Sequence, residues 1–328
     1  MKKKNKAIYL LFLMPFVYFA TACFVVWLVK TSGIYPSGSD TMYHVYRGDY
    51  VYNAIKSGNW YPLYDPAWYN GVEILRYWSP FPAYVMAFCQ YLAGGSQFGA
   101  YLFYIGGVCF LGACVWPFIG RGFNRPYLGA FIGLLWFFMP NNLCAIFIEG
   151  NLARSLSMIF LPVFIYSVYK YLYNHKLRYI PLMVFTFLLM ELCHLGYAGM
   201  VAIAVIIYGI VYIIQKGRKK AVLDVVISMI FGFMLLGIWL VASLRGGITS
   251  LDNSENMANF FQNLWTTINP FERLTRGFEN FYFGFAALVI IIFGIFFGYK
   301  KSRTGFVTGL IILLMTTKSA YAVLKHLP

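Results

Sequence analysis

Two pairs of ionisable residues stand at helical spacing in this chain, Asp40 with His44 and Glu191 with His194. Residues four apart share a face, so on a short helix capped by Ser39 or Asp40 both groups of the first pair project to one side. Glu191 and His194, three apart on one apolar run, share a face in the same way and are placed to pair, with Glu191 about one turn inside. Glu149 and Arg154 flank the start of another apolar run. Ionisable groups near membrane depth are costly and mark functional sites by default. The plainer expectations are that Asp40 only caps its helix, that His44 sits at the interface, and that Glu191 and His194 form a structural pair.

The first pair belongs to a polar stretch, Thr31 to Pro82, wedged between long apolar runs. It carries Asp40, His44, Arg47, Asp49, Asp65, Glu73 and Arg76, and so four of the chain's eleven acidic residues. These alternate with Tyr43, Tyr46, Tyr50, Tyr52, Trp60, Tyr61, Tyr64, Trp68, Tyr69, Tyr77 and Trp78. Carboxylates, a histidine and aromatic rings gathered beside a bilayer suit the grip of a sugar or a lipid headgroup, the rings doubling as interfacial anchors. A loop that merely sits at the interface has the same composition.

The elements that hold these residues are membrane helices. Of the 328 residues 60% are hydrophobic and only 11% charged, against about a quarter charged in soluble domains. The expected fold is an all-α polytopic helical bundle with about 9 transmembrane helices and a large first extracytoplasmic loop containing surface helices. After Lys2, Lys3, Lys4 and Lys6, the run 7–29 reads as an uncleaved first span, although Ala20-Thr21-Ala22-Cys23 faintly resembles a lipoprotein cleavage site. Further spans are expected over 97–119, 127–148, 154–173, 179–195, 196–215, 221–243, 281–299 and 305–322. The expected organisation is one transmembrane domain: first span, loop 31–96, core 97–243, outer loop 244–280 and last spans 281–328.

The net charge of +15 lies in short clusters between apolar runs, so it sets topology and does not build a nucleic-acid face. Arg121/Arg125, Lys176/Arg178, Lys216 to Lys220 and Lys300 to Arg303 belong in the cytoplasm, and the N-terminus with them. The piece 80–94, about 22 Å as helix and led by Pro80 and Pro82, is then laid along the outer surface. In the rival solution 80–94 spans and 127–148, interrupted at Pro140, is re-entrant, which leaves Arg121 outside. The outer loop 244–280 carries Arg245, Asp252, Glu255, Glu272, Arg273, Arg276 and Glu279 with Trp265 and Phe271. Gly129/Gly133 and Gly294/Gly298 suit close helix packing. The six cysteines and four histidines, the last at His326, show no zinc or protease spacing, and there is no phosphate-binding glycine loop, so no nucleotide cofactor is expected.

Gly38-Ser39-Asp40-Thr41-Met42-Tyr43-His44, Lys56-Ser57-Gly58-Asn59-Trp60-Tyr61-Pro62, Asp65-Pro66, Tyr69-Asn70-Gly71, Arg76-Tyr77 and Ser79-Pro80 resemble the opening of a bacterial family of multi-pass proteins. These are the 6-pyruvoyl-tetrahydropterin synthase-related membrane proteins, which resemble GT-C glycosyltransferases and YfhO-like proteins. Glu149-Gly150-Asn151, Leu161-Pro162 and His194 at a span's end extend the likeness. Members usually run longer, so the chain reads as an N-terminal portion.

The resemblance implies a glycosyltransferase taking a sugar from a polyprenyl-phosphate donor in the bilayer to an extracytoplasmic glycan, lipid or protein. Asp40 falls on the GT-C acidic residue, either as base or with a divalent metal, the cofactor being otherwise unknown. His44 and Glu149 would shape the site, Arg154 or Arg76 neutralise the donor phosphate, Trp60 and Trp68 stack on sugar, and His194 help bind substrate. The alternative is a non-catalytic transporter or envelope-assembly protein whose Glu191 and His194 line a path.

Overall fold

The structure, a computed structural model, describes residues 2–36, 38–68, 70–245, 264 and 285–324. The expected loop residues Tyr69, Asp252, Glu255, Trp265, Phe271, Glu272, Arg273, Arg276 and Glu279, together with His326, lie outside them. Every named element among the described residues is helical, and one isolated bridge joins Asp65 to Val72. The chain is thus an all-α membrane bundle.

Four stretches are long and apolar enough to cross a membrane: Phe12–Ser32 in α1 (Lys2–Ser32), α4 (Gln97–Gly122), α7 (Leu152–Asn174) and α9 (Leu195–Lys216). Without water, a chain satisfies its backbone only inside a helix or a closed barrel, and the exposed Phe12, Phe16, Phe19 and Phe24 of α1 suit lipid. Two bent pairs raise the number to six. Pro126–Phe138, containing α5 (Pro126–Trp136), meets Pro140–Ile148 at 41°; the second piece is α6 (Pro140–Leu143) and a π-helical turn, Cys144–Ile148. Proline at 140 cannot donate into the preceding turn, and buried Asn142 Nδ2 donates instead to the Trp136 carbonyl at 2.8 Å. The second pair, α10 (Lys219–Leu235) and α11 (Gly237–Leu244), bends by 67°. Both stretches expected as single spans, 127–148 and 221–243, are therefore broken.

The shorter apolar helices are α8 (Tyr179–Cys193) and the two halves of α12 (Phe285–Met315), before α13 (Lys318–Leu324). The basic stretch Lys300 to Arg303, expected as a loop, is a kink inside α12, where Ser302 has non-helical dihedrals.

Two compact units divide the chain: 1–199 with 227–248, and 200–226 with 249–328. In the first, small residues let helices approach. A Cβ at Gly120 of α4 would lie 2.7 Å from Gly129 Cα of α5, and one at Gly133 would lie 2.8 Å from the Ala113 carbonyl, so the first glycine pair packs as expected. Tyr18 donates to the Ala130 carbonyl and Tyr104 to the Leu152 carbonyl, each at 2.8 Å, tying α1 to α5 and α4 to α7. In the second unit Thr304 donates to Gln215 Oε1 at 2.7 Å, and a Cβ at Gly209 would lie 2.7 Å from Val222. Among the described residues, nothing lies within 4 Å of such a Cβ at Gly294 or Gly298.

The polar loop builds α2 (Thr41–Lys56) and α3 (Phe81–Leu92). Thr41, His44, Val45, Gly48 and Val51 follow helical spacing and form the buried stripe of α2. At Gly48 a Cβ would collide with Met86, so α2 and α3 cross there. With 12 residues, α3 measures about 18 Å, short of a hydrocarbon core of about 30 Å.

Candidate functional site

Three chain segments meet at the start of α2. The Asp40 amide donates to the Glu149 carbonyl at 3.0 Å, and Ser39 Oγ lies 3.0 Å from that carbonyl and 3.1 Å from Asp40 Oδ1. Its single proton serves one or the other. Gly38 and Gly150 make the approach possible: a Cβ on Gly38 would lie 2.6 Å from Gly150 Cα, and Gly150 holds φ +66°. The third segment is the α8–α9 junction, where His194 Nδ1 accepts the Tyr197 amide at 3.0 Å and Nε2 lies 3.4 Å from Asn151 Nδ2.

These segments border a cavity of about 570 Å³, within the usual size of a small-molecule site. Asp40, His44 and Arg47 line one side, Asn151 and His194 another, with Tyr43, Trp68 and Trp78 among the aromatic walls. Tyr43 meets Trp68 and Trp78 edge-on, at 4.8 and 5.0 Å between ring centres. The α11 segment closes the cavity: Trp239 Nε1 donates to the Leu75 carbonyl at 2.7 Å and Ser243 Oγ to the Arg76 carbonyl. That anchoring accounts for the sharp bend before α11.

The acids of the loop now separate by use. Asp65 is buried and accepts Tyr46 Oη at 2.6 Å and the Ala67 amide at 2.9 Å. Gln90 donates to Asp49 at 2.6 Å, and Glu73 is ion-paired with Arg76. Asp40 occupies the N-cap position of α2, yet its side chain makes no capping bond. Half-buried and lining the cavity, its carboxylate is available to a ligand. The expectation that it merely caps is corrected. His44 is buried, and burial, with the charges of Arg47 and His194 behind it, pushes its pKa down to about 3. It is a neutral imidazole at any ordinary pH.

Of the other residues expected at the site, Trp68 and His194 line the cavity with Asp40 and His44. Glu149 lies behind it, offering its backbone carbonyl to Asp40 while its buried side chain pairs with Arg154 at 2.7 and 2.8 Å. Arg76 pairs with Glu73 and sends Nε to the Ala242 carbonyl at 2.9 Å. Trp60 is exposed away from the cavity, its carbonyl accepting Tyr84 Oη at 2.7 Å. Glu191 and His194 do not pair: His194 is engaged by Tyr197, and Glu191 Oε2 is buried without a partner among the described residues. No group of three or more His, Cys, Asp or Glu side chains among the described residues is arranged to hold a metal ion, so a divalent ion at Asp40 finds no ligand set there.

Arg47 is the residue that sequence reasoning passed over. Asp40, His44 and Arg47 follow the i, i+4, i+7 spacing of one helix face, and that signal was present in the loop. Asn151 and Trp78 had no comparable pattern.

Residues 75–328, more than three quarters of the chain, match the family model described as 6-pyruvoyl-tetrahydropterin synthase related domain, a membrane protein. The match includes Glu149, Arg154 and His194 and begins after Asp40 and His44. No curated protein and no solved structure matches the chain. By the extent of the family match, the chain belongs to the 6-pyruvoyl-tetrahydropterin synthase related membrane proteins.

Proposed function

We propose that this cavity transfers a sugar from a polyprenyl-phosphate-linked donor to a hydroxyl acceptor outside the cytoplasm. The observation that carries the reading is the Asp40 carboxylate, set at a helix N-terminus without capping it and facing an aromatic-walled cavity. Asp40 takes the proton of the acceptor hydroxyl as its oxygen bonds the anomeric carbon. The bond from that carbon to the donor phosphate oxygen breaks, and the phosphate leaves with the electron pair. His44, neutral, shapes the wall beside Asp40, Glu149 anchors the Asp40 backbone, and Trp68 supplies an apolar face for the sugar ring.

The orientation rests on charge. Within the first unit, Lys170 at the far end of α7 donates to the Gly122 carbonyl at 2.6 Å, bringing the Arg121–Arg125 turn beside the end that carries Lys176 and Arg178. Asn151 begins α7 at the cavity, about 34 Å away along a 23-residue helix. Basic turns belong in the cytoplasm, so the N-terminus is cytoplasmic and the cavity external in a multi-pass cell-membrane protein. In a cysteine-free background, Ser57→Cys should react with an impermeant thiol reagent on intact cells and Asn124→Cys should not; labelling at 124 defeats this orientation.

The chemical test is transfer of radiolabelled sugar from polyprenyl-phosphate donors in membranes, with wild type, Asp40→Asn and Asp40→Ala at matched protein levels. Asparagine cannot accept the proton, so the expected loss is roughly 10²–10⁴-fold with the fold intact. Full activity in Asp40→Asn removes Asp40 as base. A wild type inactive with every donor favours transport or assembly, for which Glu191 Oε2, buried without a partner among the described residues, is the specific observation.

A further inference from the structure

Arg47 is among the largest fully buried side chains, only 1% exposed, and it lines the cavity. A guanidinium stays charged in proteins, and a buried charge is normally paired. The ion pairs among the described residues are Arg154 with Glu149 and Arg76 with Glu73, and neither involves Arg47. Its Nη2 donates to the Trp78 carbonyl at 3.2 Å and reaches the Ser79 carbonyl at 3.5 Å, while Nε is buried without a partner among the described residues. The Tyr43 ring centre lies 5.3 Å from the guanidinium carbon. The Trp78 ring centre lies at 6.0 Å, so neutral carbonyls and two aromatic faces hold the cation in place and leave it without an acidic partner among the described residues.

From this we infer that Arg47 is the anchor of an anion subsite in the cavity, and that its natural counter-ion is a phosphate group on the ligand. A planar guanidinium that lines the cavity with part of its N–H set uncommitted suits the tetrahedral oxygens of phosphate. The spacing fits a phosphate-bearing donor as well. Asp40 and Arg47 are seven residues apart on one face, about 10 Å along the axis. That span leaves room for an acceptor hydroxyl, an anomeric carbon and the bridging oxygen between base and phosphorus. Both arginines expected to meet the phosphate are engaged by glutamates, so Arg47 replaces them in that role. The ligand's part in catalysis rests on the transfer reading; the binding of phosphate does not.

The test is binding to purified, full-length protein in lipid nanodiscs. The probes are a short-chain polyprenyl phosphate, the corresponding polyprenol and inorganic phosphate, compared for wild type, Arg47→Met, Arg47→Lys and Arg76→Gln. Wild type and Arg76→Gln should bind polyprenyl phosphate at least tenfold more tightly than polyprenol, and Arg47→Met should lose that preference. Arg47→Lys, a point charge without the fork, should keep part of it. Competition by millimolar inorganic phosphate identifies a free-anion site, and its absence identifies a lipid-phosphate site.

The unliganded Arg47→Met protein should unfold at the same temperature as wild type or higher, because an unpaired buried charge has been removed. A clear fall in unfolding temperature, with the phosphate preference retained, makes Arg47 structural and overturns the inference. Should Arg47→Met fail to fold, equal binding of polyprenyl phosphate and polyprenol by wild type overturns it alone. Phosphate preference in a wild type that transfers no sugar keeps the subsite and discards the transfer reading.

Discussion

The same unit holds two concave regions of opposite character. The cavity under α2 has about 570 Å³ and is walled by Asp40, His44, Arg47 and His194 among aromatic rings. A groove of about 890 Å³ runs over α1, α3 and α4, lined by residues such as Phe19, Val26, Phe88, Leu102 and Phe103, with Lys30 and Ser96 its few polar groups. The larger is a product of packing. Gly106 and Gly107 thin one side of α4, and the groove holds nothing whose burial requires explanation. In the smaller, an acid forgoes its capping bond and a cation lacks a counter-ion. Size marks where helices fail to fill space, whereas uncompensated polarity marks where a ligand is expected to complete the structure.

That contrast is sharpest at Gly150. Its positive φ and the Thr41 atoms that a Cβ would strike make Gly150→Val costly. We expect a loss of about 2–4 kcal/mol, read by thermal unfolding, with collapse of any cavity-dependent binding. A stable Gly150→Val protein with intact binding would show that the α2 junction does not organise the cavity.

Next in size is the acid sensitivity of His44. Its native pKa of about 3 lies below the ordinary 6.5, so between these values the unfolded chain binds the extra proton. The contribution of His44 is complete above pH 6.5 and is lost as pH falls toward 3, with a slope of up to about 1.4 kcal/mol per pH unit. His44→Asn should flatten the stability profile across that window. An unchanged slope would place the imidazole in water.

A smaller effect separates supporting acids from the uncommitted one. Tyr46→Phe removes the hydroxyl donated to buried Asp65 and should cost about 1–3 kcal/mol by thermal unfolding, leaving phosphate preference unchanged. Should that preference be lost as well, the loop's acids act as one network. Least of all, Gly107→Ala in the groove meets nothing within 4 Å among the described residues. It should stabilise α4 by at most about 1 kcal/mol and leave every cavity property untouched, as unfolding and binding on the same preparation will show.

Much of this was legible in the sequence. Run length and basic turns located α4, α7, α8 and α9 to within a few residues, because each is set by local composition. The bends before Pro140 and at Leu236 were harder. The second depends on Trp239 and Ser243 reaching the carbonyls of Leu75 and Arg76, more than 160 residues away in the chain. For the candidate site, helical spacing brought Asp40 and His44 together. Which arginine lacks an acidic partner could not be read, since that depends on which glutamates the folded chain brings within reach of Arg47, Arg76 and Arg154. Trp60 and Trp68 share a composition and part ways only in three dimensions.

The π-helical turn at Cys144–Ile148 bears on how this junction tolerates change in chain length. The Glu149 amide reaches back five residues to the Cys144 carbonyl at 2.8 Å, so the turn stores one residue more than an α-helix uses. Deleting one residue there would let the helix close into regular α geometry at no cost in hydrogen bonds. Because the wide turn absorbs that residue, the deletion would leave Glu149 and Gly150 near their present bearing around the axis. The Glu149 carbonyl would thus still meet Asp40, and the site would outlast a loss of one residue that, in a regular α-helix, would turn everything after it by about 100°.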